Sequence, residues 1–389
     1  MQQKVVILGS TGSIGTSTLS ILSGKNFKVE LLTTNKNVNK ILKQATLHKV
    51  KNVIIEDKIK YLKYKKKFQK NNIKLHHGLK NIKKIINKRV SYCVNSISGI
   101  DGLEPTLSII PKTKKILIAN KESIICGWNL IEKKLIKYKT QFIPIDSEHF
   151  SIWSLLNKDN YKDISKIVLT ASGGPFLKKP NNSLANIKPK FALNHPNWKM
   201  GKKISIDSST MMNKIFEYIE AKKIFKLRKE NISILIHPTS YVHALIFSKS
   251  GLIKFVAHKP DMKIPIASAL NLNNNIDVNE IDKNIKSLNS LKFELPDKKK
   301  FPLLSIIALI PEKPSYFETI LITLNDSLVE RYLNNQINYL SINKNLLNII
   351  KKQYFLKYYK LKPKNIYDIK NMITLTKNYL DINIKHYDK

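Results

Sequence analysis

The feature that most constrains this chain is a glycine-rich turn between a short apolar run and a helix-compatible segment. The apolar run VVILG leads into Gly9-Ser-Thr-Gly12-Ser-Ile-Gly15, and the stretch from Thr16 to Leu22 can continue as a helix. Glycines in this setting let backbone N–H groups approach a pyrophosphate at a helix N-terminus, where the helix dipole favours an anion. The G-x-x-G-x-x-G spacing differs from the commoner G-x-G-x-x-G, so a plain Gly/Ser turn is the alternative interpretation.

Short apolar runs recur along the first third of the chain and alternate with helix-compatible stretches. They include VELLTT and the runs at 53–55, 92–94 and 116–119. Such alternation predicts a parallel sheet covered by helices. We therefore predict an α/β protein with a Rossmann-like, doubly wound dinucleotide-binding domain at residues 1–146.

The rest of the chain changes character twice. Residues 147–270 carry strand-like runs around a long Asn-, Pro- and Lys-rich interruption, which predicts a central α+β catalytic domain with a lid loop at 182–202. A polar connector is expected at 271–297, and the helix-periodic remainder predicts a small C-terminal helical domain at 298–389. A chain of 389 residues is too long for one ordinary core, which agrees with several domains.

Composition narrows the classes of partner. The formal net charge of +40 would by itself suggest nucleic acid or an anionic membrane. However, all but three of the 68 basic residues are lysine, spread along the chain, whereas nucleic-acid readers usually favour arginine. No apolar run reaches about 18 residues, and the start of the chain has no leader pattern. We expect a cytoplasmic protein with no nucleic-acid or membrane partner, and with Cys93 and Cys126 reduced and buried.

The segment after the second strand pattern bears on the choice of nucleotide. Where an acidic residue would hold the ribose 2′-hydroxyl of NAD, the sequence has Thr34-Asn35-Lys36-Asn37. Since no carboxylate stands there and a lysine can meet a 2′-phosphate, the pattern favours NADP. A simple Lys/Asn turn is the alternative.

Two carboxylates follow another apolar run. In QFIPIDSEHF, Asp146 and Glu148 are two residues apart, so on a strand they would face the same side. An all-oxygen ligand set suits magnesium or manganese, and His149 is expected to be a hydrogen-bonding neighbour rather than a ligand. Helix capping by Asp146 or Ser147 is the alternative.

A third carboxylate comes from the segment ISIDSSTMMNKIFEYIEA. Residues 207–210 predict a helix start, and Asn213, Glu217 and Glu220 then fall at i, i+4 and i+7 along one line. On one continuous helix Glu217 would lie about 13 Å from Ser208, which suits a substrate with its phosphate at the helix start and its reacting end at a metal. A capped amphipathic helix with a polar outer face is the alternative.

Two polar clusters complete the candidate site. Ser172 precedes two glycines after a strand pattern, a geometry that exposes N–H and hydroxyl groups to an oxyanion. In the lid, His195 and Trp198 lie in a Pro/Gly-bounded loop, where the indole can cover a ligand and exclude water. A loop anchored on the core by its aromatic ring is the alternative. A structural role is expected for His237 and His243.

The motifs in this chain match a known family. The strings GSTGSIG, IANKES, PIDSEH, ASGGPF, LNHPNWKMGKKISIDSSTMMNK, EYIEA, IHPTSYVHALI and PDMKIPIA occur in this order between residues 9 and 267. On these strings the chain resembles the 1-deoxy-D-xylulose 5-phosphate reductoisomerase family. From about residue 300 the likeness is weaker, and only FPLL at 301–304 and Asn325-Asp326 match. Asn35 stands where the family usually has glycine, and Phe150 replaces a polar residue.

The resemblance implies an activity and a set of site residues. The activity is the NADPH- and divalent-metal-dependent rearrangement and reduction of the sugar phosphate 1-deoxy-D-xylulose 5-phosphate to 2-C-methyl-D-erythritol 4-phosphate, in the non-mevalonate isoprenoid route, by a homodimer. Cofactor contacts are implied at Thr11, Gly12, Ser13, Ile14, Asn35, Lys36, Asn37, Asn120, Glu122 and Gly201. Substrate contacts are implied at Lys121, Ser147, Glu148, Ser172, His195, Ser208, Asn213, Lys214 and Glu217, with Trp198 and Met200 on the closing lid. Magnesium or manganese would be held by Asp146, Glu148 and Glu217, which with Lys121 and His195 form the expected catalytic group.

Overall fold

The computed structural model describes residues 2–156, 163–198, 200–272 and 279–384 of the chain. The chain forms two compact units. One comprises Met1–Phe150 and Met262–Asn275, and the other comprises Ser151–Asp261 and Ile276–Lys389.

The first unit is built on a parallel seven-stranded sheet. Its strands are β1 (Gln3–Leu8), β2 (Phe27–Thr34), β3 (Asn52–Ile55), β4 (Lys74–His77), β5 (Val90–Asn95), β6 (Thr113–Ile118) and β7 (Gln141–Pro144). Their order is β4-β3-β2-β1-β5-β6-β7, and every neighbouring pair is parallel. Because the chain leaves β1 toward β2 and later returns to the other side of β1 as β5, the carboxyl ends of β1 and β5 form the topological switch point. This topology confirms the predicted doubly wound fold.

Helices connect the strands of this sheet. They are α1 (Ser13–Leu22), α2 (Val38–Leu47), α3 (Lys58–Lys70), α4 (Ile82–Ile85), α5 (Leu103–Ile109) and α6 (Lys121–Tyr138), and α7 (Ser147–Leu156) follows β7. Residues 5–8 of β1 are fully buried, as expected for a central parallel strand whose two faces are covered. Cys93 and Cys126 are both buried, as the sequence predicted.

The second unit contains a mixed sheet. Its strands are β8 (Ile164–Ala171), β9 (Ile232–Ile236), β10 (Val242–Ser248) and β11 (Ile253–Ala257), in the order β11-β10-β8-β9. Strand β10 is antiparallel to β8 and β11, whereas β8 and β9 are parallel. Because β8 ends at Ala171, it leads directly into Ser172 and the two glycines after it.

The remaining helices run from the lid segment to the C-terminal region. They are α8 (Pro189–Ala192), α9 (Lys202–Ser209), α10 (Met212–Ile224), α11 (Lys263–Ala269), α12 (Asn279–Asn289), α13 (Phe317–Leu333), α14 (Tyr339–Ile350), α15 (Gln353–Leu356) and α16 (Ile366–Asn383). Helix α13 packs against α14 and α16, which confirms the predicted helical character of the C-terminal region. None of the helices in the described ranges is long and apolar enough to cross a lipid bilayer.

Three segments differ from the sequence-based expectation. The segment 271–297, predicted as a polar connector, contains α12. Helix α11 packs against α1 in the first unit, although it lies within the predicted catalytic domain at 147–270. Residues 207–210 do not start a helix: α9 ends there, and Met211, with φ of +64°, separates α9 from α10. The helix-start prediction was wrong because the buried Asp207 carboxylate accepts a hydrogen bond from Asn325 on α13 and pairs with Lys203 on α9 instead of capping α10. The predicted domain boundaries stay predictions.

Candidate active site

The turn after β1 requires glycine because it packs tightly. Gly9 has φ of +78°, and a methyl group there would come within 2.9 Å of the Ser96 backbone. A methyl group at Gly15 would come within 2.5 Å of the Cα of Ser10. Helix α1 begins after Gly12 without a side-chain cap. Its first N–H groups are therefore suited to an anion such as the pyrophosphate of a dinucleotide.

Hydrogen bonds hold this turn against β2 and α2. The Thr11 hydroxyl lies 2.8 Å from the Thr34 hydroxyl, and Lys40 Nζ donates to the Thr11 carbonyl at 2.8 Å. The N–H of Gly9 donates to Thr33 Oγ1 at 2.9 Å. These contacts fix the turn beside the carboxyl end of β2, where residues 35–37 are expected to contact a nucleotide.

The residues that follow β2 and β3 affect which group can occupy the ribose 2′ position of such a nucleotide. Residues 35–37 are exposed after β2, and Asn37 caps α2. The two carboxylates that follow β3 have structural partners. Asp57 caps α3 by accepting a backbone N–H at 2.8 Å, and Glu56 accepts another at 2.6 Å. Lys36 is exposed directly after β2, the strand whose carboxyl end adjoins the ribose of the nucleotide in dinucleotide-binding folds.

Asn120 ties the start of α6 to the loop after β5. Its side chain is buried, and its Oδ1 accepts the N–H of Ser123 at 2.6 Å. Its Nδ2 donates to the carbonyl oxygens of Ile97 and Gly99, the second at 2.7 Å. This cap fixes the next residue, Lys121, at the beginning of α6. The resemblance gave Asn120 only as a cofactor contact, and the capping role comes from the structure.

The two neighbouring carboxylates lie at the start of α7. Strand β7 ends at Pro144, and Asp146 Oδ1 accepts the N–H of Glu148, which is in the first turn of α7, at 3.3 Å. The Ser147 hydroxyl donates to Glu148 Oε2 at 2.6 Å. The expectation of a shared strand face was therefore wrong, and the capping alternative was right for Asp146.

Two basic side chains surround the Asp146 carboxylate. Lys121 Nζ forms an ion pair with Asp146 Oδ2, and His149 Nδ1 lies 3.0 Å from Oδ1. Burial alone raises the pKa of the Asp146 carboxyl, but the Lys121 ammonium and the His149 ring outweigh burial and hold that pKa well below its usual range. A carboxylate that stays ionised is what a hard cation requires of its ligand.

In the second unit, the lid orients the hydroxyl of Ser172. His195 Nδ1 accepts the N–H groups of Asn197 and Trp198, each at 3.1 Å, so we assign the ring proton to Nε2. Nε2 then donates to Ser172 Oγ at 3.0 Å, and the N–H of Gly174 donates to the same oxygen at 3.1 Å. A hydroxyl has two acceptor positions and one proton, so the Ser172 proton is available for a third group such as an anion. Burial lowers the pKa of His195 to about 4, which keeps the ring neutral near pH 7.

Two glycines bring this turn against the end of α9. Gly173 and Gly174 have φ of +81° and +70°. A methyl group at Gly174 would lie 2.8 Å from Ser209 Cα and 2.9 Å from the Ser208 carbonyl oxygen. The backbones of Ser172–Gly174 and Ser208–Ser209 are therefore adjacent, although the sequence predicted them as separate motifs.

Helix α10 carries polar side chains into the interior of the second unit. Lys214 and Glu217 are 4% and 1% exposed and form an ion pair. Asn213 Nδ2 donates to Glu217 Oε1 at 2.5 Å, and Glu220 is also buried. The alternative of a solvated polar face is therefore wrong. Because α9 and α10 are separate helices, the expected 13 Å rise from Ser208 to Glu217 along one helix does not apply.

Aromatic contacts anchor the lid. The Trp198 ring lies edge-on to the His243 ring at 5.9 Å, and His243 stacks on His258 at 4.1 Å. His237 makes hydrogen bonds to backbone groups through both ring nitrogens, which agrees with the structural role expected of it. Gly201 is exposed at the start of α9. Through the contact between Trp198 and His243, the lid loop has the aromatic anchor that was the alternative to a loop covering a ligand.

Sequence analysis missed two residues that support the segment around Ser208. Asn325 on α13 and Tyr339 on α14 donate hydrogen bonds to Asp207 and Ser209, the residues on either side of Ser208. The Asn325-Asp326 pair, one of the few family strings in the C-terminal region, was the only signal for Asn325.

Because the glycine turn lies at the switch point of a parallel sheet, the first unit has the architecture of dinucleotide-binding α/β proteins. Family models cover most of the chain. Residues 5–127 match 1-deoxy-D-xylulose 5-phosphate reductoisomerase, 142–225 match its C-terminal domain, and 258–379 match the DXP reductoisomerase C-terminal domain.

Among curated proteins, the 1-deoxy-D-xylulose 5-phosphate reductoisomerase of Pelagibacter ubique (strain HTCC1062) is 48% identical over 374 residues, which cover 95% of this chain and 96% of the relative. The protein of the same name from Wolbachia pipientis wMel is 40% identical over 351 residues, covering 87% and 88%. The chain belongs to the 1-deoxy-D-xylulose 5-phosphate reductoisomerase family.

Solved structures of this family have the same fold. The Zymomonas mobilis enzyme in complex with NADPH superimposes with a TM-score of 0.87 at 29% identity, covering 97% of this chain and 98% of that one. A DOX-P reductoisomerase in complex with NADPH, fosmidomycin and magnesium gives a TM-score of 0.89 at 32% identity, covering 98% of each chain.

Proposed function

We propose that this chain converts 1-deoxy-D-xylulose 5-phosphate to 2-C-methyl-D-erythritol 4-phosphate with NADPH and a divalent metal. The carrying observation is 48% identity over 95% of the chain to a protein of that name. The ionised Asp146 beside Lys121 and the Ser172 hydroxyl, whose proton is available for an anion, support the same chemistry.

NADPH contacts mainly residues of the first unit in this proposal. The glycine turn and the uncapped start of α1 suit its pyrophosphate, and the exposed Lys36 suits its 2′-phosphate. The remaining contacts are Thr11, Gly12, Ser13, Ile14, Asn35, Asn37, Asn120, Glu122 and Gly201. Since the Asn120 amide is engaged as a helix cap, its contact would come from the backbone. When bound, NADPH supplies the hydride.

One carboxylate oxygen from each of Asp146, Glu148 and Glu217 would hold magnesium or manganese in this proposal. The donor set fits, because hard divalent cations prefer oxygen ligands and Asp146 stays ionised. When bound, the ion stabilises negative charge on substrate oxygens. A family member has been solved with magnesium.

The other site residues bind and enclose the sugar phosphate. Ser172 and Ser208 donate hydroxyl hydrogen bonds to the phosphate, and Asn213 and Lys214 add an amide and an ammonium. Lys121 donates a proton or hydrogen bond at the reacting oxygens. Further contacts come from Ser147 and Glu148. The lid residues His195, Trp198 and Met200 close over the substrate and exclude water.

The test is NADPH oxidation by purified protein with 1-deoxy-D-xylulose 5-phosphate and magnesium. We expect oxidation that a chelator abolishes and magnesium restores. Oxidation insensitive to the chelator would instead indicate a different NADP oxidoreductase, and no oxidation would contradict the proposal.

A matched pair of variants tests the metal ligand Glu217. Glu217→Gln is expected to abolish magnesium-dependent turnover. Glu318→Gln is the control, because Glu318 is also buried in an ion pair, with Lys223, but is outside the proposed site. Equal magnesium-dependent activity of the two variants would contradict the metal assignment.

We further propose a cytoplasmic homodimer. Two cysteines in 389 residues are the sparse cysteine usage expected of a protein in a reducing compartment. Edge strand β11 exposes Ile253 and Phe255, an apolar surface that a second copy would cover. Sedimentation velocity should give a species of twice the 44.8 kDa chain mass, and a monomer would contradict the proposal.

A further inference from the structure

Ser208 lies between two residues that the C-terminal helices hold in place. Asp207 and Ser209 are 2% and 3% exposed, whereas Ser208 between them is partly exposed. Helix α9 ends at Ser209 and the chain breaks direction at Met211, so α9 does not continue into α10. The end of α9 therefore depends on tertiary contacts for its position.

Asn325 on α13 holds the residue before Ser208. Its side chain is fully buried, and its Nδ2 donates to Asp207 Oδ1 at 2.7 Å. Lys203 Nζ lies 3.2 Å from Asp207 Oδ2 and 2.9 Å from Asp326 Oδ1, so a second link joins α9 to α13. Since a buried carboxylate is costly without donors, these contacts fix Asp207 strongly.

Tyr339, the first residue of α14, holds the residue after Ser208. Its hydroxyl donates to Ser209 Oγ at 3.0 Å, and Ser209 in turn donates to the Ile206 carbonyl at 2.7 Å. Its ring packs edge-on against Phe176 at 5.3 Å. Phe176 belongs to the turn that carries Ser172, so Tyr339 contacts both phosphate-binding segments of the second unit.

We propose that Asn325 and Tyr339 are positioning residues for phosphate recognition. They act through Asp207 and Ser209 to keep the Ser208 hydroxyl where it binds the substrate phosphate, without touching the substrate themselves. This inference rests on the proposed function, in which Ser208 is a phosphate ligand. It gives the C-terminal helices a part in substrate binding, although they carry none of the expected ligands.

Tyr339→Phe tests the inference by removing one hydroxyl from a buried ring. Loss of a hydrogen bond of this kind should raise the KM for 1-deoxy-D-xylulose 5-phosphate about three- to tenfold. The kcat and the KM for NADPH should not change, because Tyr339 acts only on the segment around Ser208. A general loss of folding would not raise one KM alone. Tyr359→Phe is the matched control, because its hydroxyl donates to the Ile350 carbonyl and its ring packs against Phe317, both in the C-terminal helical region. We expect wild-type kinetics from it.

Asn325→Leu tests the hydrogen bond between Asn325 and Asp207 and should raise the KM for 1-deoxy-D-xylulose 5-phosphate by a larger factor. Because this change leaves a buried carboxylate with fewer donors, circular dichroism and the wild-type KM for NADPH must first establish that the variant is folded. If it does not fold, Tyr339→Phe still decides the question.

The double variant Ser208→Ala/Tyr339→Phe separates this inference from the proposed function. If Tyr339 acts through Ser208, Tyr339→Phe should have no further effect on the KM once Ser208 is alanine. Multiplying effects would overturn the inference, as would a Tyr339→Phe variant that behaves like Tyr359→Phe while Ser208→Ala raises the KM. An unchanged KM in Ser208→Ala would instead show that the proposed phosphate site is wrong.

Discussion

Gly174→Ala should disrupt the proposed phosphate-binding turn through a clash with backbone atoms. Gly174 has φ of +70°, and the added methyl group would lie 2.8 Å from Ser209 Cα and 2.9 Å from the Ser208 carbonyl oxygen. Backbone atoms cannot rotate away as the end of a flexible side chain can. Either the Ser172 turn or the end of α9 must therefore move.

The expected loss in the free energy of unfolding has two parts. A left-handed φ costs a non-glycine residue about 1–2 kcal/mol. Overpacking of a well-packed interior adds about 1–3 kcal/mol. The free energy of unfolding should therefore fall by about 2–5 kcal/mol. Gly251→Ala is the matched control, because Gly251 has φ of +87° but nothing within 4 Å of the added methyl group. It should lose only the strain part, about 1–2 kcal/mol.

Urea unfolding followed by circular dichroism measures both losses. Steady-state kinetics should also show a higher KM for 1-deoxy-D-xylulose 5-phosphate in Gly174→Ala, because the substrate-binding groups of the turn are displaced. Misplacing such groups by 1 Å can lower catalytic efficiency about 100-fold. The KM in Gly251→Ala should stay at the wild-type value. Equal destabilisation of the two variants, with an unchanged KM in both, would refute the steric argument.

Three further predictions concern the cofactor and the lid. Lys36→Glu should raise the KM for NADPH about tenfold, the factor given by ~1.4 kcal/mol of lost attraction to the 2′-phosphate, and shift the preference toward NADH; kinetics with both nucleotides would contradict this if the preference were unchanged. Gly15→Ala places a methyl group 2.5 Å from Ser10 Cα, so a fluorescence titration should show weaker NADPH binding with an unchanged KM for the sugar phosphate. Burial lowers the pKa of His195 from 6.5 to about 4, so the unfolded chain takes up a proton before the folded chain does and the free energy of unfolding falls as the pH drops from about 6.5 toward 4. Urea titrations at pH 7 and pH 5 should show a smaller fall in His195→Gln, and equal falls would contradict this.

The helix-start prediction at 207–210 shows the limit of local sequence signals. An Asp-Ser-Ser-Thr run favours a helix N-terminus because its side-chain oxygens can accept the first N–H groups. In the structure, Asp207 instead binds Asn325, which is 118 residues away, and Ser209 accepts from Tyr339, 130 residues away. The competing partners are outside any local window, so the pattern could not indicate that these residues end α9.

The sequence by itself determined the features that depend on neighbouring residues. Three features could be recognised locally: the glycine turn after β1, the alternation of strands and helices, and the ligand chemistry of Asp146, Ser172 and Ser208. Backbone freedom, periodicity and side-chain chemistry are properties of short segments. Only the tertiary structure decided which distant groups these side chains contact. Lys121 pairs with Asp146, the lid histidine orients the Ser172 hydroxyl, and the C-terminal helices fix α9. Hydrogen bonds and steric contacts between residues far apart in the chain arise from packing, and no periodicity in the sequence records them.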